Sequence, residues 1–523
     1  MPGAFPISFW LVVGILIIGM VWAIQRIKDG TGIPSLAVIL TVGVWYAGDA
    51  YYNDYAKSYA HIFAPDVLEH AWWEVAWFLV VFFFAVPYVH QWFNARYLGQ
   101  QSGIYYLARF GVEQSFLQRQ LDILFKVCMG IYLCIAAVAT LRLGKEVLHF
   151  FCPYIGYKAE PWGRDRIGSG FDAALSFALY VQMMVTAIFG VLAAVSNNRN
   201  TRFLSLIMCF VTWPYFLFDR TRNTILAVVI PGVLSWVFLR LRGSILKKIL
   251  VLAVCYILVN GWMAFIIENR SEETIMMALQ EKGFHLEKES EVHHQGLNMF
   301  EELCWINTFI KSGTYEPNWG TRYFAELVNP VPRALWHNKP LIGIDYAIAR
   351  GQGVRSSGPG GATGANVYAT VSTGMIGEGV VNFGRILGPA FAALLMSFWV
   401  AVLARQDLQI WKLGRLPLYA LGIILTFNLG RDITLITLYP FVFFAILLWW
   451  WDRQHPSPAA APIPATRPRV TLEAPLSPST PPPHVVHHEA HTVTRRRRIV
   501  TRSLPPPATG LQPGHSNGLP PLS

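Results

Sequence analysis

Two short polar turns between hydrophobic segments contain arginine. The guanidinium group binds phosphate-like anions through paired hydrogen bonds and stays charged at any relevant pH. One turn, residues 219–223, reads Asp-Arg-Thr-Arg-Asn, and the other, residues 430–432, reads Gly-Arg-Asp. Both turns are short, so Arg220, Arg222 and Arg431 are held at the ends of hydrophobic segments, and their spacing favours an anion site. Alternatively, each arginine pairs with the nearby aspartate and only seals a helix end.

A carboxylate and an amide lie four residues apart near a later hydrophobic segment. Glu378 stands between Gly377 and Gly379, and Asn382 follows one helical turn later. Residues at this spacing share a helix face, and the flanking glycines permit close approach of a chain or a ligand. Glu378 is therefore a candidate general base. The alternative is that its carboxylate orients an arginine.

Two more basic residues are adjacent to prolines. Arg333 follows Pro332, and Lys339 precedes Pro340. Proline fixes its own φ and restricts the residue before it, so a rigid local backbone would aim both basic groups. Alternatively, they are solvated loop charges.

Metal and nucleotide chemistry are not indicated by the sequence. The chain has neither the phosphate-binding pattern Gly-x-x-x-x-Gly-Lys-Ser/Thr nor a His-Glu-x-x-His motif. It also lacks an Asp-x-Asp pair in a loop, which argues against a metal-dependent transferase that uses nucleotide sugars. We therefore predict no metal and no cofactor.

The composition shows which elements must position these residues. The chain has 523 residues, of which 54% are hydrophobic and 14% charged, whereas soluble domains carry about 25% charged residues. Repeated apolar runs of membrane-spanning length predict an all-α polytopic membrane protein. The formal charge of +11 does not indicate nucleic-acid binding, because the arginines fall largely in loops and in the tail, as membrane insertion requires.

The hydrophobic runs predict about eleven transmembrane helices. Several are shorter than the ~20 residues that a span needs, so their ends must extend into flanking polar sequence. The predicted helices cover residues 5–24, 33–49, 69–89, 121–141, 171–195, 203–218, 224–239, 249–267, 386–404, 416–429 and 434–451.

Basic residues in short loops predict the orientation. Arg240, Arg242, Lys247 and Lys248 form the densest basic loop, and placing that loop in the cytoplasm puts the N-terminus outside and the C-terminus inside. The loop at residues 142–170 is an exception to this rule, because it holds five Lys or Arg and yet must lie outside in this orientation.

This orientation divides the chain into four parts. Residues 1–267 carry eight helices, residues 268–385 form one large outer (periplasmic) segment with amphipathic helices, and residues 386–451 carry the last three helices. Residues 452–523 hold 16 of the 33 prolines and predict a disordered Pro/Arg-rich cytoplasmic tail.

The outer segment contains two recognisable local patterns. Leu297, Phe300, Leu303 and Ile306 recur at helical spacing, which predicts an amphipathic helix docked on the membrane domain, with Gly313 as its stop. Residues 351–364 contain six glycines and indicate either a mobile lid or a plain flexible loop.

Several of these motifs resemble a known family. Residues 219–224 at the start of the predicted seventh helix are similar to a short signature of bacterial oligosaccharide repeat unit polymerases, the O-antigen polymerase (Wzy-like) family. Residues 331–340 and the glycine-rich sequence of residues 374–388, which contains Glu378 and Asn382, resemble that family as well. The resemblance extends from about the sixth helix to the ninth, and the first five helices are generic.

The resemblance implies an activity. Members join polyprenyl-diphosphate-linked oligosaccharide repeat units into a surface polysaccharide (O-antigen, capsule or exopolysaccharide) at the outer face of the bacterial cytoplasmic membrane. A metal-independent membrane glycosyltransferase would need fixed arginines to stabilise the leaving diphosphate. The partners expected from this are the lipid-linked oligosaccharide, membrane lipid, a chain-length regulator and a flippase, and no nucleic acid.

The resemblance also suggests roles for the candidate residues. Arg220, Arg222 and Arg431 would bind the diphosphate, together with Arg333 and Lys339, and Arg222 and Arg431 would assist catalysis. Glu378 is the first candidate for the base that activates the acceptor hydroxyl. Further candidates for the acceptor side are His293, His294, Glu301 and Asn382.

Three rival functions stay open. An O-antigen-ligase-type transferase would hand the chain to another lipid. A lipid-linked oligosaccharide transporter or flippase would need polar groups deep within several helices, whereas most helix interiors here are apolar. A membrane scaffold organised by the tail would leave the arginines without a role.

Overall fold

The computed structural model describes most of the chain up to residue 455. The described residues are 5–53, 55–112, 115–155, 158–162, 170–218, 222–268, 299–328, 331, 335–336, 340, 343–357, 363–367, 371–431 and 435–455. Of the predicted tail, residues 452–523, the first three belong to the last helix, which ends at Gln454, and residues 456–523 lie outside the described residues.

Helices make up almost all of the regular structure in this part of the chain. In the N-terminal half they are α1 (Ile7–Gln25), α2 (Gly32–Val42), α3 (Asp49–Tyr52), α4 (Tyr55–Ser58), α5 (Pro65–Phe93), α6 (Gly103–Phe110), α7 (Ser115–Leu143), α8 (Val147–Phe151), α9 (Gly170–Val195), α10 (Arg199–Leu217), α11 (Arg222–Ser235) and α12 (Ile245–Glu268). A stretch of π-helix, Gly43–Gly48, joins α2 to α3, and another, Trp236–Arg240, extends α11.

The C-terminal half continues the helical pattern and adds one hairpin. Its helices are α13 (Met299–Lys311), α14 (Thr321–Val328), α15 (Ile344–Ala349), α16 (Gly374–Leu408), α17 (Arg415–Leu429) and α18 (Leu435–Gln454). Strands β1 (Gly353–Ser357) and β2 (Thr363–Val367) pair antiparallel, with Gly353 opposite Val367.

Six helical segments are long and apolar enough to cross a membrane, among the described residues. They are Ile7–Gln25, Gly32–Tyr52, Pro65–Phe93, Leu117–Phe151, Ala178–Val195 and Gly374–Leu408. The prediction of a helical chain with several helices of membrane-spanning length and composition is therefore confirmed. Each of the eleven predicted segments overlaps a helix, but the count of eleven membrane crossings stays a prediction.

Helix ends extend beyond the apolar runs where the sequence supplies helix-starting residues. Helix α5 begins four residues before the predicted start at residue 69. Pro65 stands in its first turn with Asp66, and proline at the first helical position and an acid near the positive N-terminal end both favour a helix start.

Helix α16 is broken at Gly384, which the sequence analysis did not predict. Gly384 has φ 76° and ψ −176°, a conformation that only glycine adopts readily. The chain folds back there and brings Gly379 against the carbonyl oxygen of Gly388, where no Cβ would fit. We call residues 374–383 the buried half of α16, since residues 374–382 are all buried.

The loops predicted to be cytoplasmic gather at one end of the helical bundle. The Ser102 amide donates to the Lys28 carbonyl over 2.8 Å, and Asp407 accepts from the Ile104 amide over 2.8 Å. Ile376, at the start of α16, donates its amide to Tyr46 Oη of the π-helical stretch over 3.0 Å. The first turns of α16 therefore contact the end of the second candidate span, whereas its last turn contacts α6.

The described parts of the segment at residues 268–385 are more structured than its glycine content indicates. The amphipathic helix is confirmed as α13, and Gly313 follows its end with φ 71°. Part of the glycine-rich sequence forms β1 and β2 instead of a plain loop. Glycine removes side-chain bulk at these positions, and backbone hydrogen bonds between the strands provide the order.

Candidate functional site

Helix α13 is fixed to the membrane helices through two buried acids. Asp49 accepts a hydrogen bond from the Phe300 amide over 3.1 Å, which satisfies an N–H at the start of α13 that has no partner within the helix. Asn307 donates its side-chain amide to Glu74 of α5 over 2.7 Å. Phe300 also stacks on Trp72, with ring centroids 3.9 Å apart. The helix is thus docked by polar and apolar contacts together.

A buried ion pair lies beside α13. Arg322 of α14 and Glu378 of α16 approach to 2.8 Å between Nε and Oε1, with side chains only 4% and 1% exposed. Thr373 donates its hydroxyl to the other carboxylate oxygen of Glu378 over 2.7 Å. Removing charges from water is expensive unless they are paired, so each of these two groups depends on the other.

Asn382 lies on the same face of the buried half of α16, as its spacing from Glu378 predicts. Its side-chain amide donates to the Glu378 carbonyl over 2.8 Å, and its oxygen accepts from the Tyr323 amide of α14 over 3.3 Å. Asn382 therefore connects the two helices that carry the ion pair.

Small residues allow the buried half of α16 to pack so closely. A Cβ on Gly377 would come within 2.8 Å of the Ile306 side chain of α13, and one on Gly379 would meet the backbone of Gly388. The glycines that flank Glu378 thus have a packing role: they bring its helix against α13 and against the second half of α16.

The turn that contains Arg431 is attached to this helix. The amides of Gly374 and Met375 donate to the carbonyls of Arg431 (2.8 Å) and Gly430 (3.0 Å). The Arg431 side chain is exposed and donates from Nε to Ser372 Oγ over 2.8 Å. The structure therefore places Arg431 at the N-terminus of the helix that carries Glu378.

A second charged cluster includes Glu301. Arg350 lies 3.3 Å from Glu302 and 3.7 Å from Glu301, and its guanidinium carbon stands 4.4 Å above the ring of Trp305. Burial raises the pKa of Glu302, and the bond from Tyr346 together with Arg350 opposes that rise. Glu301 accepts from Trp305 Nε1 over 3.2 Å, so both acids of this cluster already have partners.

Two tyrosines link the charged clusters. Tyr346 donates to Glu302 over 2.7 Å, and burial raises its pKa well above the usual value while the Arg322 charge lowers it. Tyr315 donates to Asp345 over 2.7 Å, and burial followed by the Asp345 charge raises its pKa. The Arg322 charge acts on both tyrosines, so the clusters around Glu378 and Glu302 are close neighbours.

Several predicted site residues cannot be placed in this region. Arg222 is the first residue of α11, and nothing is described of its side chain. The others lie outside the described residues: Arg220, His293, His294, Arg333 and Lys339. The structure thus brings together Glu378, Asn382 and Arg431, with Glu301 in the adjoining cluster, and the anion site of three arginines stays a prediction.

Sequence reasoning missed Arg322. It stands in an eight-residue helix with Glu326 one turn later, a pattern that normally indicates a solvated face. The sequence offers one indication of its buried position. Arg322 and Glu326 stand among the apolar residues Phe324 and Leu327, in a segment too short to span a membrane. Glu378 does orient an arginine, as its alternative role predicts, but that arginine is Arg322 and not one of the predicted three.

Among the described residues, no group of three or more His, Cys, Asp or Glu side chains could hold a metal ion.

Comparisons with known proteins add no further assignment. No family model matches the chain, and no curated protein or solved structure matches it either.

Proposed function

We propose that this chain is a membrane glycosyltransferase that joins polyprenyl-diphosphate-linked oligosaccharide repeat units into a surface polysaccharide. One observation supports it most directly. The glycine-rich sequence that resembles the polymerase family forms a single compact unit, in which Glu378 and Asn382 are buried and the exposed Arg431 is hydrogen-bonded alongside. A polar site of this kind next to long apolar helices suits a substrate with a charged head and a hydrocarbon tail.

The chemistry requires charge stabilisation more than a strong acid. The acceptor hydroxyl attacks the anomeric carbon of the growing chain, the bond from that carbon to the diphosphate breaks, and polyprenyl diphosphate leaves. Arginine stabilises the negative charge on the leaving group without a metal. Of the proposed arginines, Arg431 has a described and exposed side chain, so its guanidinium is accessible to a ligand.

The hydroxyl proton needs an acceptor, and Glu378 keeps that role in the proposal. Its carboxylate accepts from Thr373 over 2.7 Å and faces Arg322 at 2.8 Å. Arginine favours the ionised carboxylate, which is the form that accepts a proton. Movement of Arg322 towards a bound anion would release the carboxylate to act as the base.

We further propose the bacterial cytoplasmic membrane as the location, with the polar segment outside. Labelling should therefore differ between Ser357→Cys, at the end of β1, and Ser244→Cys, in the predicted cytoplasmic loop. Both variants are made after replacing the cysteines that are not buried, Cys134, Cys152 and Cys255. A membrane-impermeant maleimide should label residue 357 in intact cells and residue 244 only after permeabilisation. The reverse pattern would invert the topology and move the site to the cytoplasm.

Lipid-linked glycans in a deletion strain test the reaction. Loss of a polymerase should leave single repeat units on the carrier lipid, and the parent gene should restore polymer. Polymer accumulating on the carrier would instead indicate a ligase-type transferase, and repeat units trapped on the cytoplasmic side would indicate a flippase. A deletion strain with unchanged lipid-linked glycans and unchanged polymer would rule out all three functions.

A further inference from the structure

Helix α14 has its charged residues inside and its apolar residues outside. Arg322 and Glu326 are 4% and 3% exposed, whereas Phe324 and Leu327 are 48% and 64% exposed. Helices at a water-facing surface show the opposite arrangement, with the apolar stripe towards the core and the charged face in solvent. The surroundings of α14 therefore cannot be water alone.

Helix α14 packs against α16, which contains a candidate membrane span, and against α18. Tyr323 packs on Phe391 of α16, with ring centroids 5.4 Å apart, and Phe391 lies about 10 Å beyond the break at Gly384 at the usual helical rise. On another side, Tyr439 of α18 is within electrostatic range of Glu326. Helix α14 thus lies alongside the part of α16 that surrounds the break at Gly384.

Apolar side chains near the start of that span are exposed as well. Ile386 and Leu387 are 73% and 59% exposed, which suits side chains that face lipid. Phe324 contacts Trp336 edge-on at 6.2 Å, and Trp336 is 38% exposed. Aromatic residues of this kind are typical of the interface between lipid and water.

We infer that α14 lies in the outer leaflet of the bilayer, with Phe324 and Leu327 in contact with lipid acyl chains. The bilayer is the occupant that fits this face, because α14 packs on a candidate span whose first apolar side chains, Ile386 and Leu387, are exposed in the same way. Arg322 and Glu326 point inward because an unpaired charge in hydrocarbon is costly, and Glu378 supplies the partner for Arg322.

This placement revises the role of the segment between the eighth and ninth predicted helices. Its part at α14 is a short element within the membrane and not part of a water-exposed outer segment. Contact of α14 with lipid needs only that the chain is a membrane protein, whereas its assignment to the outer leaflet also rests on the orientation proposed above. Neither depends on the proposed reaction.

Accessibility of a nitroxide spin label tests the placement in the full-length protein reconstituted in lipid. Labels are attached at Phe324→Cys and at Leu327→Cys, and Ser312→Cys, in the exposed turn after α13, is the matched control. The background again replaces Cys134, Cys152 and Cys255. Oxygen concentrates in hydrocarbon and a nickel chelate concentrates in water, so collisions with oxygen should dominate at residues 324 and 327 and collisions with nickel at residue 312.

Two results would overturn the inference. Nickel accessibility at residue 327 equal to that at residue 312 would place α14 in water. Protection of residues 324 and 327 from both reagents would show that a second copy or another protein covers the face. Leu327 serves as the second probe because its side chain is largely exposed, so its replacement does not depend on repacking against Trp336.

Discussion

Glu378→Ala is expected to lower the free energy of unfolding by about 3–5 kcal/mol, because the substitution leaves Arg322 charged and without its carboxylate in a buried position. Both side chains of the pair are almost fully buried and lie 2.8 Å apart. Unfolding of the purified protein in one detergent measures the difference. Glu316→Ala is the matched control, because Glu316 is exposed and a surface substitution of this kind should change stability by no more than about 0.5 kcal/mol.

A double variant separates the structural from the catalytic role of Glu378. Replacing both partners, Arg322→Met with Glu378→Met, removes both charges, and such replacements are often neutral or stabilising. Stability should therefore return to about the parent value. A stable double variant without polymer would support a direct part for the pair in the reaction, whereas one that makes polymer at the parent rate would leave the pair only a structural role. Equal stability of Glu378→Ala and Glu316→Ala would contradict the ion pair itself.

Replacing Arg220, Arg222 and Arg431 together by lysine should lower the polymerisation rate by about 10²–10³, the loss typical of one charge-stabilising donor in an active site. Lysine keeps the charge but loses the planar fork that binds a diphosphate through two hydrogen bonds. The measurement is polymer length and yield in a deletion strain that expresses the variant at the parent level.

The matched control replaces three arginines at the opposite end of the bundle. Arg199, Arg202 and Arg242 are exposed, and their replacement by lysine preserves the charge pattern that guides insertion. This control should polymerise normally. If the first triple variant inserts and also polymerises at the parent rate, the three arginines act only on topology, and the diphosphate site must be sought elsewhere.

The sequence predicts the fold best where a long apolar or amphipathic pattern is compatible with only one kind of element. The apolar segments and α13 with its stop at Gly313 are of this kind, since burial of an apolar face dominates their placement. The break at Gly384 has no such signal, because glycine and apolar residues continue on both sides of it. The pairing of β1 with β2 depends likewise on backbone hydrogen bonds, which composition does not report.

The candidate site shows the same division between local and long-range information. The four-residue spacing of Glu378 and Asn382 correctly predicts that they share a helix face. Their partners depend on tertiary contacts: Arg322 is 56 residues before Glu378 in the chain, and its helix has the pattern of a water-facing element. Local sequence indicates amphipathicity, but only the packing of α14 on α16 and α18 reveals which face is inside.

The contact between Asp49 and the start of α13 has a consequence for biogenesis. The two partners are 251 residues apart, and Glu74 is 233 residues before Asn307. During synthesis, Asp49 and Glu74 can form these hydrogen bonds only after the ribosome has produced α13. The polar segment is therefore not a module that could be cut out and transplanted, because it completes its fold on helices that were made first.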